Sequence, residues 1–207
     1  MQFDMASLPV QDRYKLMSST ITPRPVAWVT SQSASGVRNA APYSFFNMMA
    51  PDPPLVVLGM MRQPDGSHKD SARNILDTGE FVVNLVSFAD AEAMNMTCID
   101  APPDIDELDL AQIATLASTG IAPPRIASAP VSFECRLFQA IEPGAATTIV
   151  LGEVLTMHVA DAMIDTARLH VDTLAMDLIA RMHGAGWYTR ATDLFQLSRP
   201  AYTDLKR

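Results

Sequence analysis

Ser67, His68, Lys69, Asp70 and Ser71 stand side by side between two apolar runs, PPLVVLGMM and FVVNLVS. Such a stretch supplies hydroxyl donors and a permanent positive charge. If a helix starts there, it also supplies unpaired backbone N–H groups at the positive end of the helix dipole. Together these features suit a phosphate. Ser67 and Asp70 also stand at capping-box spacing, and a capped surface helix is the commoner outcome, so spacing alone favours that reading. A second stretch, NAAPYSFFN from Asn39 to Asn47, offers a different chemistry. Pro42 removes a ladder donor and bends the strand, which frees neighbouring backbone groups for a ligand. Tyr43, Phe45 and Phe46 add flat apolar surface beside Ala41, and Ser44 and Asn47 add polar handles. Taken alone, an edge strand with a bulge accounts for it. Thr30 and Ser31 end an apolar strand and are uninformative by themselves.

Other chemistries find little support. His68, His158, His170 and His183 share no metal-ligand spacing, and Cys98 and Cys135 form no paired motif. No nucleophile elbow is present, and no Gly-rich dinucleotide fingerprint follows a strand. His158 falls in a strand pattern, as a packed or surface residue. His183 precedes the turn that holds Gly184, Gly186, Trp187 and Tyr188, which either borders a pocket or packs the C-terminal region.

The elements that must position these groups are mostly strands. Residues 25–31 alternate, with Val26, Trp28 and Thr30 on one face and Ala27, Val29 and Ser31 on the other. Residues 37–46 return as a second strand after the Ser35-Gly36 turn. Residues 55–60 predict a third strand, apolar on both faces and hence central, and 81–87 a fourth. A short helix is expected over 69–78, with Gly79 at its C-terminal cap. Residues 89–98 and 106–118 read as further helices, the second closed by Gly120. Residues 129–142 and 147–161 form a long hairpin. Asp172 is expected to start a last helix, with Leu174, Leu178 and Met182 on one face. Sequential strands with inserted helices predict a mainly β fold, an antiparallel barrel or sandwich, not a doubly wound parallel sheet.

The chain has 207 residues and no obvious linker, which suits one domain over 1–207. A hydrophobic fraction of 48% leaves ample material for a core. The net charge of −8 disfavours nucleic acid and anionic membranes as partners. No signal peptide or membrane-spanning run stands out, and two cysteines are simplest as free thiols, so a soluble cytoplasmic protein is expected.

The ordered set RPVAWVTS, NAAPYSFFN, DPPLVVLGM, HKDSARNILDTGEFVVNLVS, LGEV and ARMHGAGWYTRATDLFQLSRP resembles the flavin reductase-like family, from about Thr22 to Pro200. That resemblance implies an antiparallel FMN-binding split β-barrel and a homodimer with FMN near the subunit interface. It places Thr30 and Ser31 beside the flavin ring. Ala41, Pro42, Tyr43, Ser44 and Asn47 would line the ring and ribityl chain, and Ser67, Lys69, Asp70 and Ser71 would hold the phosphate. It implies an oxidoreductase that reduces flavin or another small acceptor with NAD(P)H. One departure concerns the donor. Members that reduce free flavin often carry Gly-Asp-His before the strand ending in Gly-Glu-Val, with the His associated with nicotinamide. Here those places hold Ala145, Ala146 and Thr147. An FMN-binding electron-transfer protein, flavoredoxin-like and without its own NAD(P)H site, is the alternative.

Overall fold

The structure is a computed structural model and describes residues 1–202. Helix α1 (Val10–Thr20) precedes strands β1 (Arg24–Pro25), β2 (Ala27–Gln32), β3 (Arg38–Tyr43), β4 (Phe46–Pro51) and β5 (Pro54–Met61). Helix α2 (Asp70–Thr78) leads into β6 (Glu80–Leu85), followed by α3 (Ala91–Met96), α4 (Glu107–Leu110), β7 (Thr115–Leu116) and β8 (Arg125–Ile126). The long strands β9 (Val131–Gly144) and β10 (Thr147–Val159) come next. The short pieces β11 (Ile164–Asp165), β12 (His170–Val171), β13 (Ile179–Arg181) and β14 (Tyr188–Arg190) end the fold.

Seven strands form one antiparallel sheet in the order β3-β2-β6-β9-β10-β5-β4. The sheet curls until the turn after β3 meets β5, where the Gly59 N–H donates to the Phe45 carbonyl at 2.7 Å. The result is an antiparallel split barrel, as expected from the sequence. Alternation along β2 divides two cores. Ala27 and Val29 join Val56, Leu58, Phe81, Val83 and Val150 inside the barrel. Val26 and Trp28 face outward and are covered by Met94, Leu108, Ile126 and Ile179. Helix α2 plugs the barrel with Ala72 and Ile75, and complete burial of Ile75 is worth about 1.5–3 kcal/mol. Gly79, at φ 75°, ends that helix in the left-handed conformation.

Several expectations are corrected. Residues 37–46 are not one strand: β3 stops at Tyr43, and β4 begins at Phe46 and pairs with β5. Strand β5 lies next to the edge rather than at the centre, with only alternate residues buried. The helix expected over 89–98 is shorter, a 3₁₀ turn at Phe88–Asp90 followed by α3. The helix expected over 106–118 is confined to α4, because Gln112 adopts φ 54° and Thr115–Leu116 pair as β7 with β8 instead. No helix starts at Asp172. Asp177 sits at φ 45°, and Ile179–Arg181 pairs with β1 and β14, so sheet pairing overrides the helical spacing of Leu174, Leu178 and Met182. The α1 helix had no sequence expectation at all. Among the described residues, no helix is long and apolar enough to cross a membrane.

Candidate functional site

An open cleft of about 280 Å³ lies where edge strand β3, the start of α2 and the segment after α3 converge. One wall is Asn39, Ala41, Pro42 and Tyr43, continued by Ser44 and Phe45. The second is Lys69, Asp70 and Ser71. The third is Thr97 to Ala101, with Glu107 at its base. β3 is an edge strand, so the backbone of this wall is not fully paired. Gly59 permits the close approach at its end, since a Cβ there would meet the Phe45 Cβ at 2.9 Å.

Polar bonds fasten α2 to the sheet beneath. Asn74 Nδ2 donates to Ser31 Oγ at 3.2 Å, and the Asn39 amide lies 2.7 Å from Ser71 Oγ. With the amide turned so that its oxygen accepts from Ser71, Asn39 Nδ2 donates to Glu107 Oε1 at 3.2 Å. Glu107 Oε2 is buried and has no hydrogen-bond partner. Burial pushes the Glu107 carboxyl up, and the nearby Asp70 and Asp106 push it further, against hydrogen bonds that include the Ala40 N–H. Burial also drives the Tyr43 phenol up to about 12, although a hydrogen bond with Ser71 works the other way. At neutral pH Tyr43 is therefore a hydroxyl donor and not a base. Asp70 forms an ion pair with Arg73, one turn along α2. Lys69 occupies the N-cap of α2 and its side chain does not cap the first-turn N–H groups. Its ammonium instead reaches Asp100 Oδ1 at 2.8 Å.

The structure thus brings together Ala41, Pro42, Tyr43, Ser44, Lys69, Asp70 and Ser71, which the sequence singled out in two separate stretches. Four other candidates do not line this cleft. Thr30 is fully buried and its hydroxyl donates to the Pro124 carbonyl at 2.5 Å. Ser31 is buried too, and supports α2 from below. Asn47 is exposed on β4 and borders an adjoining apolar groove between β4 and α1, where its Oδ1 accepts from the Met48 N–H. Ser67 donates to Asp65 Oδ1 at 2.6 Å, so the capping box with Asp70 is not formed. Sequence reasoning missed Glu107 and Asp100. Both lie in acid-rich stretches that look like solvated surface, and only the fold turns them toward the cleft. Gly59, an isolated glycine in an apolar strand, was the one signal available for a close approach.

Around the Ala145-Ala146 turn, the Arg62 N–H donates to the Ala146 carbonyl and Thr148 Oγ1 lies 3.3 Å from His68 Nδ1. A histidine does approach this end of the hairpin, but from the loop before α2 rather than from β10. Among the described residues, no cluster of His, Cys, Asp and Glu is arranged to hold a metal ion.

A family profile described as "Flavin reductase like domain" matches residues 17–175. A protein of Deinococcus radiodurans described as uncharacterised is 42% identical over 205 residues, covering 97% of this chain and 90% of its own. The crystal structure of Pseudomonas fluorescens 2-nitrobenzoate 2-nitroreductase NbaA superposes with a TM-score of 0.88 at 35% identity, covering 98% of each chain. Nitrilotriacetate monooxygenase component B from Bacillus cereus gives 0.89 at 33% identity, with 95% of this chain and 98% of that one covered. A match of this extent, on the same split-barrel frame and with the cleft built from the motifs that first suggested it, shows that the chain belongs to the flavin reductase-like family.

Proposed function

We propose that the cleft binds FMN and that the protein is an FMN-dependent oxidoreductase, reduced by NAD(P)H and passing electrons to flavin or another small acceptor. One observation carries this reading. The two sequence stretches suited to a phosphate and to a flat aromatic system, separated by nineteen residues, line one cleft with Lys69 at its side. The donor set fits the group: Lys69, Ser71 and the uncapped first turn of α2 suit the phosphate, while Ala41, Pro42, Tyr43 and Ser44 offer a flat wall for the ring and ribityl chain. Asp70 orients the turn through Arg73. Ser31 acts from beneath, by tying β2 to α2 through Asn74, and Thr30 fastens β2 to the segment before β8 through the Pro124 carbonyl. Ser67 shapes the loop before Lys69, and Asn47 borders the groove beyond Phe45.

When bound, the flavin supplies the hydride and electron chemistry, and the protein supplies binding, orientation and exclusion of water. Tyr43 keeps its proton and can donate to a ligand oxygen. The solved relatives named above are a nitroreductase and a monooxygenase component, which supports small-molecule redox chemistry. The test is the visible spectrum of the protein after addition of FMN and gel filtration, then anaerobic addition of NADH or NADPH. Retained flavin that either nucleotide bleaches supports the proposal, and a colourless protein rejects it. Ala145, Ala146 and Thr147 favour a second reading, a flavoredoxin-like electron-transfer protein without a nicotinamide site. In that case dithionite bleaches the flavin and neither nucleotide does.

A homodimer is part of the proposal. Val10, Tyr14, Met17 and Ile21 expose an apolar stripe along α1, and Leu194, Phe195 and Leu197 are exposed near the C-terminus. Such surface suits a partner, and two-fold pairing is the commonest arrangement. A monomer mass by light scattering in the presence of FMN would count against it.

A further inference from the structure

Lys69 already has a partner. Its ammonium donates to Asp100 at 2.8 Å, with side chains 40% and 76% exposed respectively. Asp100 belongs to residues 97–106, TCIDAPPDID, a segment with three aspartates and neither lysine nor arginine. Each end of that segment is anchored independently of Lys69. Thr97 is buried and accepts from Trp28 Nε1 at 3.0 Å, while Asp106 caps α4 and accepts from Arg38 Nε at 2.6 Å. Between the anchors, Cys98 to Ala101 form a wall of the cleft, and the Lys69–Asp100 pair ties that wall to α2. The other acids of the cleft are engaged elsewhere: Asp70 with Arg73, and Glu107 against Asn39.

We infer that Asp100 sets the affinity of the cleft for phosphorylated ligands: its carboxylate holds Lys69 when no anion is bound, and must yield it to a phosphate. This inference rests on the flavin reading above. A phosphate monoester carries close to two negative charges at neutral pH. An ammonium has three donors and can touch both anions, but doing so brings the phosphate against the Asp100 carboxylate. Binding therefore includes a step in which Asp100 loses Lys69 or moves out of its reach, carrying the 98–101 wall with it. Riboflavin has no phosphate and requires no such exchange. Asp100 thus lowers affinity selectively for the phosphorylated flavin, and makes its release easier.

The experiment is a fluorescence titration of wild type, Asp100→Asn and Asp100→Ala with FMN and with riboflavin, at low and high salt. Asp100 is exposed, so neither variant removes core contacts, and thermal unfolding checks the fold of each. FMN should bind about twofold to fivefold more tightly to Asp100→Asn, while riboflavin should stay within about 1.5-fold of wild type. The gain should shrink at high salt and should be smaller in a Lys69→Ala background. Unchanged FMN affinity in Asp100→Asn, or an equal gain for riboflavin, overturns the role of Asp100. The two ideas fail differently. A wild type that binds no FMN ends the flavin reading and this inference with it. FMN binding that needs Lys69 but ignores Asp100 ends this inference alone.

Discussion

Replacing Lys69 with alanine tests the phosphate end of the cleft most directly. A charge-assisted contact from the ammonium to the FMN phosphate contributes roughly 1.5–3 kcal/mol. The structure reduces that figure, because Lys69 is not free: its 2.8 Å contact with Asp100 is given up on binding. Both partners are substantially exposed, and pairs of this kind contribute about 0.2–1 kcal/mol. The net gain lost in Lys69→Ala is then about 0.5–3 kcal/mol, and near its middle FMN binding weakens roughly tenfold. Lys69→Glu should weaken FMN further, since it places a third anion beside Asp70 and Asp100. Riboflavin should bind wild type and Lys69→Ala within about twofold of each other, as it presents no phosphate. Titration of both proteins with both flavins, followed by flavin fluorescence, reads the contrast. Equal weakening for the two ligands would refute the reasoning, because Lys69 would then act through folding or loop order rather than through a phosphate.

Four further outcomes follow from particular contacts. His68→Ala should cost less FMN affinity than Lys69→Ala, since His68 contacts Thr148 and approaches Glu142 rather than lining the cleft; a loss as large as that of Lys69→Ala in the same titration would contradict this. Gly152→Ala should destabilise the barrel by about 1–3 kcal/mol, lowering Tm by roughly 2–12 °C in calorimetry, because a Cβ there would stand 2.3 Å from the buried Phe81 Cζ; an unchanged Tm would mean the ring can move. Burial works to raise the Glu134 carboxyl, but hydrogen bonds from Thr119, Gly120 and His158 prevail and hold it below the usual range. A depressed folded pKa contributes stability above the ordinary glutamate pKa of about 4.3 and loses it as pH falls through the folded value, so Glu134→Gln should flatten the acid limb of a Tm-versus-pH curve, and a limb of unchanged steepness would refute this. The Glu107 carboxyl is raised, chiefly by burial, so its ionisation costs stability as pH rises from about 4.3 through the folded value; relative to wild type, Glu107→Gln should be more stable at pH 7 than at pH 4 in the same melts, and an equal offset at both would count against it.

Much of this protein was legible in one dimension because the information is local. The alternation of Val26 to Ser31 specifies a strand with two buried faces, and both cores in fact meet across it. The long hairpin of β9 and β10 and the helix before Gly79 follow equally from short-range pattern. The two ligand-suited stretches taken alone favoured a capped helix and a bulged edge strand, but the order of the motifs along the chain sufficed for the family. What stayed illegible depends on partners far away in sequence. Residues 111–118 and 172–182 carry helical patterns, yet β8 and the edge of β1 offer their backbones strand pairing, so propensity loses. Thr30 and Ser31 were uninformative strand-end hydroxyls by themselves, and only the family resemblance set them beside the ring; alternation along β2 sends Thr30 to the Pro124 carbonyl on one face and brings Ser31 to Asn74 on the other. Glu107 and Asp100 are ordinary acids in the sequence. Closure of the sheet buries the first under Asn39, and the anchors at Thr97 and Asp106 hold the second across the cleft from Lys69, because only tertiary packing decides which charges share a low-dielectric corner and which meet water.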